Sequence, residues 1–262
     1  MRAATPAVTF DSDGVQLLGV LHVPEGAGPH PVAVLFHGFP GNERNFDLAQ
    51  SLRQAGYASL VFHYRGSWGV GGDWSWANGL DDAARVLRAV RDEEFAAAHR
   101  LDPGRVAVVG HSFGGFVALM SAADDPGIAA TVSVSGFDFG TVTRGLDPAG
   151  RRATVEAFDG ELLPLRGTSG EALVAEMEAA GERWSLAVLA PRFAGRNVLL
   201  IGTGLDPVTP AEVHHRPLVG AYASARLEHR EWPTDHALSD HRAELAGTVR
   251  DFLDRAIGGA PR

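Results

Sequence analysis

One stretch limits the folds open to this chain more than any other. The apolar run Val106-Ala107-Val108-Val109 ends in Gly110-His111-Ser112-Phe113-Gly114-Gly115, and a helix-compatible run begins at Phe116. That is a strand, one sharp turn and a helix. Small residues flank the serine because backbone in such a turn is strained and its neighbours crowd it. The helix that follows aims its first N–H groups at any negative charge developing there. Ser112 is therefore a candidate nucleophile.

The rest of the chain supplies a sheet for that strand. Residues 7–11 and 15–23 read as a hairpin at a sheet edge, joined at Ser12-Asp13-Gly14. Residues 31–37, 58–63, 105–110, 129–135 and 197–202 read as strands buried on both faces, and 226–232 as a last strand. Helices are expected at 43–55, 80–98, 112–123, 211–222 and 238–257. Strands alternating with helices predict an α/β fold, a mostly parallel eight-stranded sheet with helices on both faces. The alternation breaks at 138–192, where only helices are expected, at 149–158, 170–180 and 182–189. The predicted division is a core of 1–137 and 193–262 and a helical cap insertion, 138–192, over the carboxyl edge of the sheet.

Composition narrows the function. The formal net charge is −9 and no basic cluster is present, so no nucleic-acid partner is expected. The absence of cysteine removes disulfides, a cysteine nucleophile and thiolate metal sites. The N-terminus lacks an apolar signal core and no run is long enough for a membrane span. The expectation is a cytoplasmic protein with no membrane partner. A homodimer is compatible with the sequence, and nothing in it requires one.

A serine hydroxyl becomes a nucleophile only with a base in reach, and the base needs an orienting acid. His236 follows the last predicted strand and Asp206 follows the one before it, and loops at the carboxyl ends of parallel strands converge on one crevice. His241, His214 and His215 fall in predicted helices and His229 in a strand, which leaves His236 as the base. Asp206 also suits a bland role, as a helix N-cap before Pro207 or Pro210. Asp138, also after a strand, is the rival acid, while Asp235 adjoins the histidine and would point away from it. An oxyanion needs N–H donors, and the backbone groups of Phe113 and of Phe39, in His37-Gly38-Phe39-Pro40-Gly41, are the expected pair. His37 reads as structural. This chemistry calls for no metal and no cofactor.

Taken together, His37-Gly38-Phe39-Pro40-Gly41, Gly110-His111-Ser112-Phe113-Gly114-Gly115, Gly204-Leu205-Asp206 and Asp235-His236 make the chain resemble the α/β-hydrolase superfamily over nearly its whole length. The N-terminal hairpin and Tyr64-Arg65-Gly66-Ser67 look like the dienelactone-hydrolase and prolyl-oligopeptidase-like group. The chain departs from dienelactone hydrolases proper in having no cysteine, from dehalogenases and epoxide hydrolases in having Ser112 where they carry aspartate, and from oligopeptidases in leaving no room for a propeller domain. The resemblance implies a serine hydrolase.

Specificity falls to the loop at 64–79 and to the insertion. Trp68, Trp74 and Trp76 are candidates to wall a substrate pocket, or else to anchor the loop. Arg65 reads as tying that loop to a nearby acid. The leading expectation is hydrolysis of small carboxylic esters through an acyl-enzyme. An aminopeptidase or acylaminopeptidase is the first rival, for which Glu156, Asp159 and Glu161 would have to hold an α-ammonium. An acyltransferase differs only in the acceptor, and a non-catalytic ligand receptor is the last alternative.

Overall fold

A computed structural model describes residues 1–258. Eight strands form one sheet: β1 (Ala7–Ser12), β2 (Val15–His22), β3 (His30–Phe36), β4 (Ala58–Phe62), β5 (Leu101–His111), β6 (Ala130–Val134), β7 (Asn197–Thr203) and β8 (Arg226–Trp232). Their order is β1-β2-β4-β3-β5-β6-β7-β8. The β1–β2 and β2–β4 pairs are antiparallel and all the others parallel. The expected mostly parallel eight-stranded sheet with a hairpin at one edge is what the chain forms.

Strand β3 shows why the middle of the sheet holds. Every residue in it is buried. Val32, Val34 and Phe36 face one layer of the core, Ala33 and Leu35 the other. A period of two with apolar residues on both faces requires helices on both sides. Helices α1 (Phe46–Gln54) and α10 (Arg242–Ile257) cover one face through Leu48, Leu52, Val249 and Phe252. Helices α2 (Trp76–Ala89), α3 (Glu93–His99) and α4 (Phe113–Asp124) cover the other through Val86, Ala96 and Phe116. The exposed edge, β8, is charged rather than apolar, which discourages pairing with another chain.

Between β6 and β7 lie α5 (Phe139–Arg144), α6 (Pro148–Gly160), α7 (Gly170–Ala180) and two short 3₁₀ segments, Gly181–Trp184 and Ala187–Phe193. After β7 come the short helices α8 (Ala211–His214) and α9 (Arg216–Ala221). No strand occurs in 138–192, as expected. Helix α7 sends Glu176 to the N-terminus of α2, where its carboxylate accepts from the N–H of Trp76 at 2.9 Å and of Ala77 at 2.7 Å. A carboxylate there satisfies orphan donors and complements the helix dipole.

The structure corrects several element boundaries. The helix expected at 80–98 is two: α2 starts at Trp76, capped by Ser75, and α3 starts afresh after Asp92, whose side chain accepts from Phe95 N–H at 3.0 Å. Apolar periodicity runs through the break, so pattern alone does not reveal it. The helix expected at 211–222 is also split, at His215. The final helix starts at Arg242, not 238, and 182–189 is 3₁₀ rather than α. No described helix is long and apolar enough to cross a membrane.

Candidate active site

Ser112 sits between β5 and α4 with φ 58° and ψ −121°, a strained conformation for a residue bearing Cβ. The turn is tight enough that a Cβ at residue 110 would fall on the Gly114 carbonyl, and one at 114 on the Phe36 carbonyl. Both positions need glycine for close approach. The N–H of Ser112 donates to Val134 O at 2.9 Å, tying the turn to the end of β6. Gly38 packs against it from the loop after β3, where an added Cβ would stand 3.0 Å from Ser112 Cβ.

Asp206 and His236 come together from the loops after β7 and β8. His236 Nδ1 lies 2.6 Å from Asp206 Oδ2, so Nδ1 carries the shared proton and Nε2 is left as the acceptor. The same Oδ2 accepts from the Thr203 hydroxyl at 2.7 Å and from the Thr209 hydroxyl. Ser135 stands behind Thr203, with the two hydroxyl oxygens 2.9 Å apart. Oδ1 accepts from the N–H groups of Val208 at 2.8 Å and Thr209 at 3.0 Å. Oδ1 thus holds a local turn rather than the expected helix N-terminus, since α8 is capped at Pro210, and Oδ2 pairs with the histidine. Burial works against charge on Asp206, yet the bonds from His236, Thr209 and Thr203 outweigh it and hold the carboxyl well below the usual range.

His111, which also lines the cavity, and His37 are buried and brace the site. His111 Nε2 donates to the His236 carbonyl at 2.7 Å, linking the serine turn to the histidine loop. Burial, with His236 nearby, pushes His111 down to about 3, so it is neutral. His37 Nδ1 donates to Gly38 O at 2.8 Å, and burial holds it at about 3.

Ser112, His236, Phe39 and Gly38 line one cavity of about 810 Å³. The His236 ring bonds to Asp206 and stands 3.3 Å from the Thr209 hydroxyl, with no direct hydrogen bond to Ser112. Phe113 N–H is the first of α4, so no carbonyl of that helix precedes it to accept its hydrogen. The rival acid Asp138 caps α5, accepting from Thr141 N–H at 3.0 Å, and has no bond to His236.

The three tryptophans part company. Trp76 lines a recess of about 50 Å³ beside Ser112. Trp74 is buried in the aromatic cluster and Trp68 donates from Nε1 to Pro40 O at 2.9 Å; neither lines the cavity or the recess. Arg65 Nε donates to the buried Asp82 at 2.6 Å, as a loop tie.

Sequence reasoning missed the two threonines, His111's link and which residues between β6 and β7 reach the cavity. Helix α6 fronts the cavity with Ala153, Thr154, Ala157 and Phe158, and no residue of α6 is fully buried. His214 also lines it, its Nδ1 accepting from Asp138 N–H at 3.0 Å. The Asp206-Pro-Val-Thr209 spacing was a legible signal for the threonine, since aspartate accepting from N–H groups two and three residues on is an ordinary turn.

A model of the alpha/beta hydrolase family matches residues 33–249. Among curated proteins, 2,6-dihydropseudooxynicotine hydrolase of Paenarthrobacter nicotinovorans is 29% identical over 133 residues, 48% of this chain and 33% of that protein. Quorum-quenching protein AidA of Acinetobacter baumannii is 32% identical over 144 residues, 51% of this chain and 44% of that one. The chain thus spans less than half the length of either relative. Among solved structures, Est1E from Butyrivibrio proteoclasticus with ferulic acid bound superposes with TM-score 0.77 at 20% identity, covering 96% of this chain and 99% of that one. The Pyrococcus furiosus esterase Pf2001 does so with TM-score 0.70 at 16% identity, covering 98% and 94%. At those identities the likeness is one of fold. The match over residues 33–249, with the eight-stranded sheet and its serine turn, settles the family: the chain belongs to the alpha/beta hydrolases.

Proposed function

We propose that the protein is a serine hydrolase that cleaves small carboxylic esters. The observation that carries this reading is the Asp206–His236 pair, 2.6 Å apart, whose histidine lines the same cavity as Ser112. Ser112 Oγ attacks the acyl carbon while His236 Nε2 takes its proton. The N–H groups of Phe39 and Phe113 receive the oxyanion. His236 then gives the proton to the departing alkoxide, which leaves as the alcohol, and the acyl group stays on Ser112. Water attacks next, its proton passing to His236 and on to Ser112 Oγ as the acid departs. Asp206 holds the imidazole in the required tautomer and balances its charge at each stage.

Residues 1–137 and 193–262 serve in this reading as the catalytic core and 138–192 as a cap that shapes the substrate chamber. The esterases of like fold and the hydrolase among the relatives support the reaction class. Of the three acids an aminopeptidase would enlist, Asp159 is engaged by Gly170 N–H at 2.6 Å and only Glu161 lines the cavity; the other acid on its lining, Glu43, accepts from Asn45 N–H at 2.7 Å.

A panel of p-nitrophenyl esters against aminoacyl p-nitroanilides tests the reading, with Ser112→Ala as control. Higher kcat/KM on the esters, lost in the variant by at least about a thousandfold, is expected. Higher kcat/KM on the anilides would overturn it in favour of a peptidase.

A further inference from the structure

The recess beside Ser112 is walled by Phe39, Trp76, Phe113, Phe139 and Phe158, and Ser112 supplies its reactive oxygen. Trp76 cannot swing out. Its indole packs on Phe39 at 5.1 Å, Phe113 at 5.0 Å and Phe139 at 4.8 Å, and its Nε1 donates to Leu173 O at 3.1 Å. The donor is therefore spent on α7, and the indole offers the recess only ring. At about 50 Å³ the space takes roughly three or four water-sized groups.

Phe158 differs from Trp76, Phe113 and Phe139. Like Phe39 it is only half-buried and borders both the recess and the large cavity, but it alone of these walls comes from α6. Its ring stands edge-on to Phe39 at 5.4 Å and to Trp76 at 5.5 Å. It is a partition between a small aromatic recess and an open chamber.

Proton bookkeeping decides which part of an ester enters the recess. The leaving alkoxide takes its proton from His236, which borders the large cavity and not the recess. The alcohol therefore occupies the chamber, and the acyl chain turns the other way, over Phe113. Resting on the proposed ester hydrolysis, we infer that the recess is the acyl pocket, that it admits unbranched apolar acyl chains of about two to four carbons, and that Phe158 sets this limit. The large cavity leaves the alcohol free to be bulky.

The test is a series of p-nitrophenyl esters from acetate to decanoate, run on wild type and on Phe158→Ala. In the wild type, kcat/KM peaks at the short chains and falls at least about tenfold by octanoate, because a packed wall does not accept extra methylenes cheaply. In Phe158→Ala, recess and chamber merge, and the octanoate-to-butyrate ratio rises at least about tenfold. Phe158→Leu, which keeps most of the bulk, gives an intermediate ratio and serves if the alanine variant fails to fold. Alkyl fluorophosphonates of matching chain length report the same preference at the acylation step alone. Ester hydrolysis without chain-length preference, or a ratio unmoved at residue 158, overturns the inference and leaves the serine-hydrolase reading standing. Absence of hydrolysis and of labelling across the whole series removes both.

Discussion

Oδ2 of Asp206 and Nδ1 of His236 are 2.6 Å apart, and four further donors from Thr203, Val208 and Thr209 fix the carboxylate from behind. The pair is built so that the acid does not rotate. Asp206→Asn keeps the shape but presents an amide where the imidazole needs an acceptor. The expected result is a loss of roughly a thousand- to ten-thousandfold in kcat on a short-chain ester, with a native circular-dichroism spectrum. A loss under tenfold would mean that the pair does not orient the base.

Gly38 offers a sharper probe of geometry. A methyl group there meets Ser112 Cβ at 3.0 Å and the His111 carbonyl at 3.2 Å, so the loop or the serine must shift by a few tenths of an ångström. Gly38→Ala is expected to lower kcat/KM by about a hundredfold with little change in Tm, since small displacements of reacting groups are costly to rate. Unchanged kcat/KM would show that the Phe39 loop does not position the reaction.

The parts of the site legible in the chain are those that follow strands. Ser112 and Asp206 stand just past apolar strands and His236 just past the charged last one, and parallel strands deliver their carboxyl ends to one rim, so order in sequence predicts meeting in space. What sequence does not reveal is the second contact of each residue. His111 reads as one more residue of a turn, yet it reaches the His236 carbonyl across 125 positions. Trp68 and Trp76 look equivalent in a glycine-rich loop. Only tertiary packing sends Trp68 to Pro40 and Trp76 to the recess. The break between α2 and α3 was hidden because Val90 continues the apolar stripe and is itself buried.

Buried histidines make stability depend on pH. Burial holds His37 and His111 at about 3 and His214 and His215 at about 4, all below their ordinary 6.5. Between those values and 6.5 the unfolded chain binds protons that the folded one does not, so stability rises with pH through that window and is complete above it. Each group contributes a slope of up to about 1.4 kcal/mol per pH unit. Asp138, raised by burial, opposes them in part, and the lowered Asp206 adds a loss only below the ordinary aspartate range. The urea midpoint is expected to fall from pH 7 to pH 5. A midpoint that rises on acidification would contradict these assignments.

Arg65 and Asp82 test the scaffold apart from the chemistry. Asp82 is fully buried and accepts from Ser12 Oγ at 2.6 Å, Arg65 N–H at 2.7 Å and Arg65 Nε at 2.6 Å. Asp82→Ala removes the one buried carboxylate from the Arg65 guanidinium, leaving it the exposed Asp13 at 3.1 Å, and is expected to cost about 3–5 kcal/mol in chemical denaturation. A cost below about 1 kcal/mol would place the pair among surface-like ion pairs and leave the 64–79 loop held by its other hydrogen bonds and its aromatic packing.

The claim beneath the rest is that Ser112 is the residue that becomes covalently acylated. Treating the folded protein with a fluorophosphonate and mapping the adduct by peptide mass spectrometry tests it most directly. The account predicts one stoichiometric adduct on Ser112, none in Ser112→Ala, and labelling slowed at least about a hundredfold in His236→Ala. A folded wild-type protein that takes up no label, or that carries it on another residue, would contradict the account.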